Sequence, residues 1–447
     1  GGSGNGVVSG LITAVSASTS GVNKFGTGTW TITNTANTYT LSPQLVDGVL
    51  DVASLADSGV ASAIGSGTGI VFSGQATNCT LRYTGAAPQS TNRTVNVDAT
   101  GGTIESSGAG ALTFSGTIQA VATANFNLNF TSGSAVAANN ASTQPGTVVG
   151  MLVTSTAVPA GTTILAISGN QYTLSNAALS TVATNAVFTQ APERTLRLTG
   201  SNTGANTISG PIVSTTSVNL IGITKAGIGK WILSGSNAYG GTTQVDAGTL
   251  LINGNSGSVV APFVVNGGIL GGSGTIGGAV TVNPLGTLAP GASIATLTTG
   301  SSVSFASGAT FAYEYETNLL TADLLSMSGA LSLSGTVPLT ITDLGPDLTV
   351  SPGTVFSLIN CGGGLSGSGL FSYGGLSLVE GGTFTVGANT WQIAYSSTTA
   401  GVNVAAPLPS GSYVNLVAVP EPTTWATLGS AVAIAVVMQA RRRRMPG

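Results

Sequence analysis

The sequence contains no histidine. That absence removes the commonest general base, the usual imidazole metal ligand and every Ser-His or Cys-His nucleophile pair. Cysteine is nearly as scarce. Cys79 and Cys361 lie 282 residues apart without a CxxC spacing, so zinc, iron–sulfur and dithiol chemistry lack ligands and both read as small packed apolar residues. No catalytic residue, cofactor or metal is expected on these grounds. Charge is sparse too, at 6% of the 447 residues. The 13 acidic and 7 basic side chains before Glu421 leave the bulk of the chain at a net charge of −6, which argues against nucleic acid as a partner.

What fills the chain instead is Gly, at 66 residues, with Ser, Thr, Asn, Val and Ala. Neither a charged disordered tail nor a soluble helical domain has that composition. Short runs of Val, Ile, Thr and Leu bounded by Gly, Asn and Ser recur throughout, which predicts many short strands joined by tight turns. The opening GGSGNGVVSG has neither a starting Met nor an export signal, so a fragment or processed form is expected.

Between residues 243 and 314 the strands repeat at a fixed interval. TQVDAGTLL, VVNGGILGG, TVNPLGTLA and SFASGATFA align on Gly248, Gly268, Gly286 and Gly308, spaced by 20, 18 and 22 residues. Val245, Val265, Val282 and Phe305 precede these glycines, and Leu250, Leu270, Leu288 and Phe311 follow them. An interval near 20 residues suits one coil of a parallel β-helix, with the two apolar columns stacked inward at about 4.8 Å. Glycine at each corner would allow positive φ, and Asp246, Asn266 and Asn283 would satisfy turn backbone groups. The fold class predicted is all-β: a right-handed parallel β-helix (β-solenoid) with a C-terminal β cap and a single short C-terminal membrane helix.

Two segments share a longer pattern, KFGTGTWTITNTANTY at 24 to 39 and KAGIGKWILSGSNAY at 225 to 239. Lys225, Gly227, Gly229, Trp231, Gly235, Asn237 and Tyr239 resemble the passenger-associated β-strand repeat of autotransporter-type surface proteins, and the copy at Lys24 is weaker. The resemblance implies an exported β-helix. Nothing after Asp347 offers the many alternating strands of a membrane β-barrel, so another delivery route is expected. Trp231 and Tyr239 are expected to cover the apolar edge of a first coil. TLRYTG at 80 to 85 and TLRLTG at 195 to 200 suggest a duplicated unit separated by a hairpin-rich insert. The organisation expected is an N-terminal solenoid-like region at 1–120, a β-rich insert at 121–190 and the repeat-bearing β-helix at 191–310. A cap region at 311–408, a linker at 409–424 and a membrane helix with its basic end at 425–447 complete it.

GIGKW at 227 to 231 is no phosphate loop, because Thr224 stands where that loop needs Gly and Trp231 where it needs Ser or Thr. Glu314 and Glu316 share one face of a strand at about 6.6 Å, a spacing a glycosidase could use. Phe311, Tyr313 and Tyr315 occupy its other face, as in a strand covering the end of the solenoid. Asp323, Asp343 and Asp347 lack the dense acidic spacing of a calcium loop.

The last residues read VPEPTTWATLGSAVAIAVVMQARRRRMPG. Trp425 to Ala440 is a run of sixteen uncharged residues, about 24 Å as a helix against a hydrocarbon layer of roughly 30 Å. Arg441, Arg442, Arg443 and Arg444 behind it form a stop-transfer signal held on the cytoplasmic side. Val419, Pro420, Glu421 and Pro422 before it cannot be helical through both prolines and present an extended backbone. Pro-Glu-Pro, apolar helix and arginine cluster resemble the PEP-CTERM sorting signal, which implies removal by an exosortase-type enzyme after transient insertion in the inner membrane. LPSGS at 408 to 412 lacks the Thr-Gly of a sortase motif. The function expected is that of an exported, non-enzymatic surface or matrix protein, structural or adhesive, with surface glycans or exopolysaccharide as partners. The alternative is a carbohydrate-active β-helix enzyme.

Overall fold

The computed structural model describes residues 1–14, 21–73, 79–97, 101–120, 125–139, 152–189, 194–214, 220–405 and 412–420. Strands dominate them, and no helix among them is long and apolar enough to cross a membrane. The expected membrane helix at 425–447 lies outside the described residues.

The chain winds into a solenoid with three parallel faces. One face is a 13-stranded sheet running from Gly6–Val8 through Thr29–Ile32, Val49–Val52, Thr80–Tyr83, Gly102–Ser106, Arg194–Thr199 and Ile221–Lys225 to Leu365–Ser366. A second runs from Gln89–Thr91 through Lys230–Leu233 and Thr310–Glu316 to Leu370–Tyr373. The third begins at Asn23–Lys24. It passes by single parallel bridges, Val213 to Ala238 and Ser236 to Asn255, into the sheet that ends at the cap.

Register explains why the apolar pattern repeats. Val245 pairs with Val265, Val265 with Val282, Val282 with Phe305 and Phe305 with Leu333. Leu250, Leu270, Leu288, Phe311 and Leu339 form the parallel column on the second face. Every member of the two columns is buried, and both columns belong to one continuous core. Each coil buries its side chains on the coil below, so the stack is stabilised by nearest-neighbour contacts.

The insert departs from this geometry. Asn125–Thr189 hold a six-stranded antiparallel sheet with a separate core around Leu128, Phe130, Tyr172 and Leu174. TLRYTG and TLRLTG flank it in sequence, yet their strands Thr80–Tyr83 and Arg194–Thr199 both pair with Gly102–Ser106.

Thr310–Glu316 does not cover the end of the solenoid. Thr336–Asp343 and Leu370–Tyr373 stack above it. The ending lies where Val355–Cys361 leaves the parallel pattern and pairs antiparallel with Ser412–Val419, itself paired with Asn389–Ser397. Aromatic rings fill this junction: Tyr315, Phe356 and Trp391 meet with centroids 5.6 to 5.8 Å apart. Ser412–Val419, expected as part of the 409–424 linker, is a central strand. Its eight residues SYVNLVAV are rich in Val and carry Tyr413, which favours a strand, and four consecutive positions are buried between its two partners.

Candidate functional site

The repeat motif builds the same kind of corner at two places in the solenoid. Lys225 ends a strand of the first face and its side chain folds back into the corner. There Nζ donates to the carbonyls of Ala226 and Gly227, both at 2.7 Å, and to Ala247 of the next coil at 2.9 Å. Three N–H donors meet three acceptors, so a fully buried ammonium is completely hydrogen-bonded. Burial pushes its pKa down to about 8, with Arg197 nearby acting in the same sense. Lys24 repeats the arrangement on Phe25, Gly26 and Asp47, at 3.0 Å for Phe25 and 2.8 Å for Asp47. Its pKa is lowered by burial and partly restored by Asp47.

The glycines serve this corner. Gly227 has φ of 65° and Gly26 of 69°. Gly248 and Gly48 in the following coils each leave room for the lysine, since a Cβ there would stand 2.6 Å from Nζ. At later corners the expectation of positive φ holds for Gly308, at 83°, but not for Gly268 or Gly286. At those two a Cβ would strike the coil below, 2.8 Å from Gly248 O and 2.5 Å from Val265 O. In the third corner Leu285 takes the left-handed conformation, with φ of 72°.

Trp231 is fully buried and its Nε1 donates to Thr199 O at 3.0 Å. It lies between Asn206 below and Leu250 above. The expected role as cover of a first coil is therefore wrong, because coils stack on both sides. Asn237 accepts from Ile212 N at 3.1 Å and donates to Ser256 Oγ at 3.1 Å, while Tyr239 OH meets Thr243 Oγ1 at 2.7 Å. Asn37 in the other copy accepts from Ile12 N at 2.8 Å. Gly229 and Gly235 let the backbones of Asn202 and Gly210 approach, with 2.6 and 2.4 Å to a Cβ built on them.

The two copies sit at different corners. Lys24 leads from the third face to the first, whereas Lys225 leads from the first to the second. Trp30 thus heads the column that continues through Leu50, Leu81, Ile104 and Leu198 to Lys225 itself. The motif specifies a local corner, and two different corners of the solenoid carry it.

Other candidates resolve into structure. Glu314 and Glu316 are half-buried on the outer side of their strand, and across the ladder Glu314 faces Thr342. Asp343 accepts from Thr317 Oγ1 at 2.8 Å, and Asp347 accepts from Ala388 N at 2.9 Å. Asp323 is buried and accepts from Ala295 N and Glu314 N, both at 2.9 Å; burial raises its pKa to about 7 against those two hydrogen bonds. Among the described residues no cluster of acids or cysteines suits a metal ion. Cys79 and Cys361 are buried, and their thiols donate to Gly101 O at 3.4 Å and to Ser412 O at 3.1 Å. Asp246, Asn266 and Asn283 form an exposed ladder, with amide-to-oxygen bonds of 2.8 Å from Asn266 to Asp246 and from Asn283 to Asn266.

Of the sorting motif, Val419 ends the cap strand opposite Thr390 and Pro420 follows it. Glu421 and Pro422 and Arg441 to Arg444 lie outside the described residues. Sequence reasoning missed three polar centres, two of them buried and the third, Asn403, half-buried. Arg93 is sealed inside and donates to carbonyls of Ala56, Ile64 and Gly65, fixing the 55–66 loop. Asn206 sits in the Trp231 column, and Asn403 joins Asp323 O to Ser357 O at the cap, both at 2.8 Å. An isolated polar residue at an otherwise apolar position of the repeat was the available signal for Asn206.

Comparison with known proteins agrees with the corner geometry. The family described as passenger-associated-transport-repeat matches residues 22–40 and 223–252, the two lysine corners. Both stretches are similar to that repeat. The adhesin BmaC autotransporter of Brucella suis biovar 1 (strain 1330) is 32% identical over 332 residues, 57% of this chain and 10% of that protein. The chain thus spans about a tenth of the length of the relative it matches. The crystal structure of the Haemophilus influenzae Hap adhesin overlaps 93% of this chain and 45% of its own at 11% identity and a TM-score of 0.23.

Proposed function

We propose that this chain is an exported, non-enzymatic surface protein, a stiff β-solenoid of the autotransporter passenger type with a structural or adhesive role. The observation that carries the reading is the pair of passenger repeats, each built as a lysine-capped corner inside one continuous stack. Similarity to an adhesin autotransporter supports the same direction. Few charges and many hydroxyls and amides give the rod numerous weak hydrogen-bonding positions for surface glycans or exopolysaccharide. Nothing favours the carbohydrate-active enzyme: no histidine is present, and Glu314 and Glu316, the acids offered for that role, stand half-buried on an outer strand face.

The finer reading concerns release. The tail from Pro420 onward is a removable address: the arginines fix topology, the apolar run resides briefly in the inner membrane, and an exosortase-type enzyme cuts near Pro-Glu-Pro. The closing strand ends at Val419, directly before Pro420. The test is the C-terminal peptide of the mature protein, read by mass spectrometry in a host carrying an exosortase. A mature chain lacking RRRRMPG is expected; one that keeps it on the cell surface rules out this sorting route and leaves a plain anchor. Absence of the chain from the surface altogether would overturn the passenger reading itself.

A further inference from the structure

The closing strand ends beside a hollow. Val419 and Pro420 line a cavity of about 230 Å³ whose other wall includes Thr349, Val350 and Asn389. The loop on that wall is fixed from both sides. Asn389 Nδ2 donates to Leu348 O at 2.7 Å and its Oδ1 accepts from Val350 N at 2.8 Å. From the other side, Thr317 Oγ1 accepts from Leu348 N at 3.2 Å and donates to Asp343 Oδ2 at 2.8 Å. Loops 317–320 and 344–348, which follow paired strands of successive coils, are thereby joined into one surface that begins at the cavity.

Four leucines stand on this surface. Leu319, Leu320, Leu344 and Leu348 are each between 42% and 63% exposed, and Leu320 takes φ of 53°, a strained conformation for a leucine. Acids share it: Glu316 packs against Gly345, where a Cβ would stand 2.6 Å from its Cγ, and Asp343 and Asp347 belong to the second loop. No cation balances them, since the sequence from Trp231 to Ala440 has eight acids and no Lys or Arg. Val260 and Leu285 are more exposed, but the stretch that carries them, between Asp246 and Glu314, has no charge at all. Apolar side chains and unbalanced acids thus come together where Pro420 emerges. The sequence after Pro420 has the complementary order: sixteen uncharged residues from Trp425 to Ala440, then Arg441 to Arg444.

We propose that this surface receives the chain's own tail whenever the tail is outside a membrane. The apolar run Trp425–Ala440 covers the cavity and the leucine loops, and Arg441–Arg444 meet Glu316, Asp343 and Asp347. Burial of apolar area supplies the attraction, and the charge pairing sets the direction in which the tail lies. Four residues separate Pro420 from Trp425, so the effective concentration of the tail at this surface is high and docking within one chain outcompetes docking between chains. A tail held this way stays hidden until a bilayer offers its apolar run deeper burial. The inference holds whether the tail is later cut or kept.

The test is tryptic cleavage at Arg441–Arg444 in the full chain without detergent or lipid, followed by mass spectrometry and normalised to a synthetic peptide of residues 437–447. Cleavage tracks the undocked population when docking exchanges faster than cutting. Protection of about tenfold or more relative to the peptide is expected, independent of protein concentration and reduced at high sodium chloride. Leu319→Ser with Leu348→Ser should remove most of it, as should Glu316→Gln with Asp347→Asn, whereas Leu285→Ser should be cut like the parent. The unfolding midpoint reports whether each variant keeps its fold; where a pair lowers it, Leu319→Ser alone or Glu316→Gln alone takes its place. Cleavage as fast as that of the peptide overturns the proposal. So does protection that rises with protein concentration, which assigns the tail to a second copy, or protection that survives in the folded surface variants.

Discussion

Lys225 Nζ and the Ala247 carbonyl oxygen lie 2.9 Å apart, a hydrogen bond that ties the corner of one coil to the corner of the next. The same ammonium holds two carbonyls of its own turn, so its removal orphans three buried acceptors at once. Lys225→Met keeps the stem's length and packing but none of the donors. It should lower stability by roughly 2–4 kcal/mol, seen as a reduced midpoint in denaturant titration. Lys24→Met should act in the same direction at its own corner.

Two corner glycines separate backbone strain from collision. Gly308 has φ of 83°, and a Cβ there would meet only Pro284 Cβ at 3.9 Å. Gly308→Ala should therefore lose about 1–2 kcal/mol from the left-handed conformation alone. At Gly248, φ is 65° and the Cβ would stand 2.4 Å from the carbonyl oxygens of Gly227 and Gly229. Gly248→Ala should be clearly the more damaging of the pair in thermal unfolding. Equal midpoints would mean that the coils separate more readily than the corner geometry allows.

The apolar columns are legible in the sequence because each coil presents the same inward positions about twenty residues on, which aligns Val245, Val265 and Val282 by spacing alone. The role of Lys225 is not legible there. Its acceptors include Ala247, a residue of the following coil, and burial of a cation inside a ring of carbonyls leaves no periodic trace. The rotated placement of the two motif copies is hidden for a similar reason: sequence records a corner but not which of three equivalent faces it joins. Ser412–Val419 reads as linker because the prolines behind it dominate the segment, while one of its partners, Val355–Cys361, is distant in sequence.

Asn206 replaces an apolar residue in the column beneath Trp231. Its Oδ1 accepts from Leu112 N at 3.0 Å and Ser106 Oγ at 2.8 Å, and its Nδ2 donates to Lys230 O at 2.9 Å. These bonds join three coils at the point where the chain returns from the insert. Asn206→Leu restores the apolar column and yet strands a buried N–H and a buried carbonyl, so it should destabilise by roughly 2–3 kcal/mol. A gain in stability would show that packing outweighs hydrogen bonding there.

Asp323 gives the cap a pH dependence whose sign follows from its surroundings. Burial raises its pKa from 3.8 to about 7, the N–H groups of Ala295 and Glu314 oppose the rise, and the nearby Glu314 carboxylate adds to it. The folded chain consequently holds a proton that the unfolded chain has released between about pH 4 and pH 7. The stabilisation is complete below about pH 4 and is lost as the pH climbs through about 7, so the cap should unfold more easily at neutral than at mildly acidic pH. Asp323→Asn removes the titration, although its amide can satisfy only one of the two backbone donors with its oxygen. The variant should be less stable than the parent at pH 4 and should show a flatter dependence from pH 4 to 7, read from denaturant midpoints across that range. Parallel curves for parent and variant would assign the slope to another group and remove Asp323 from the account.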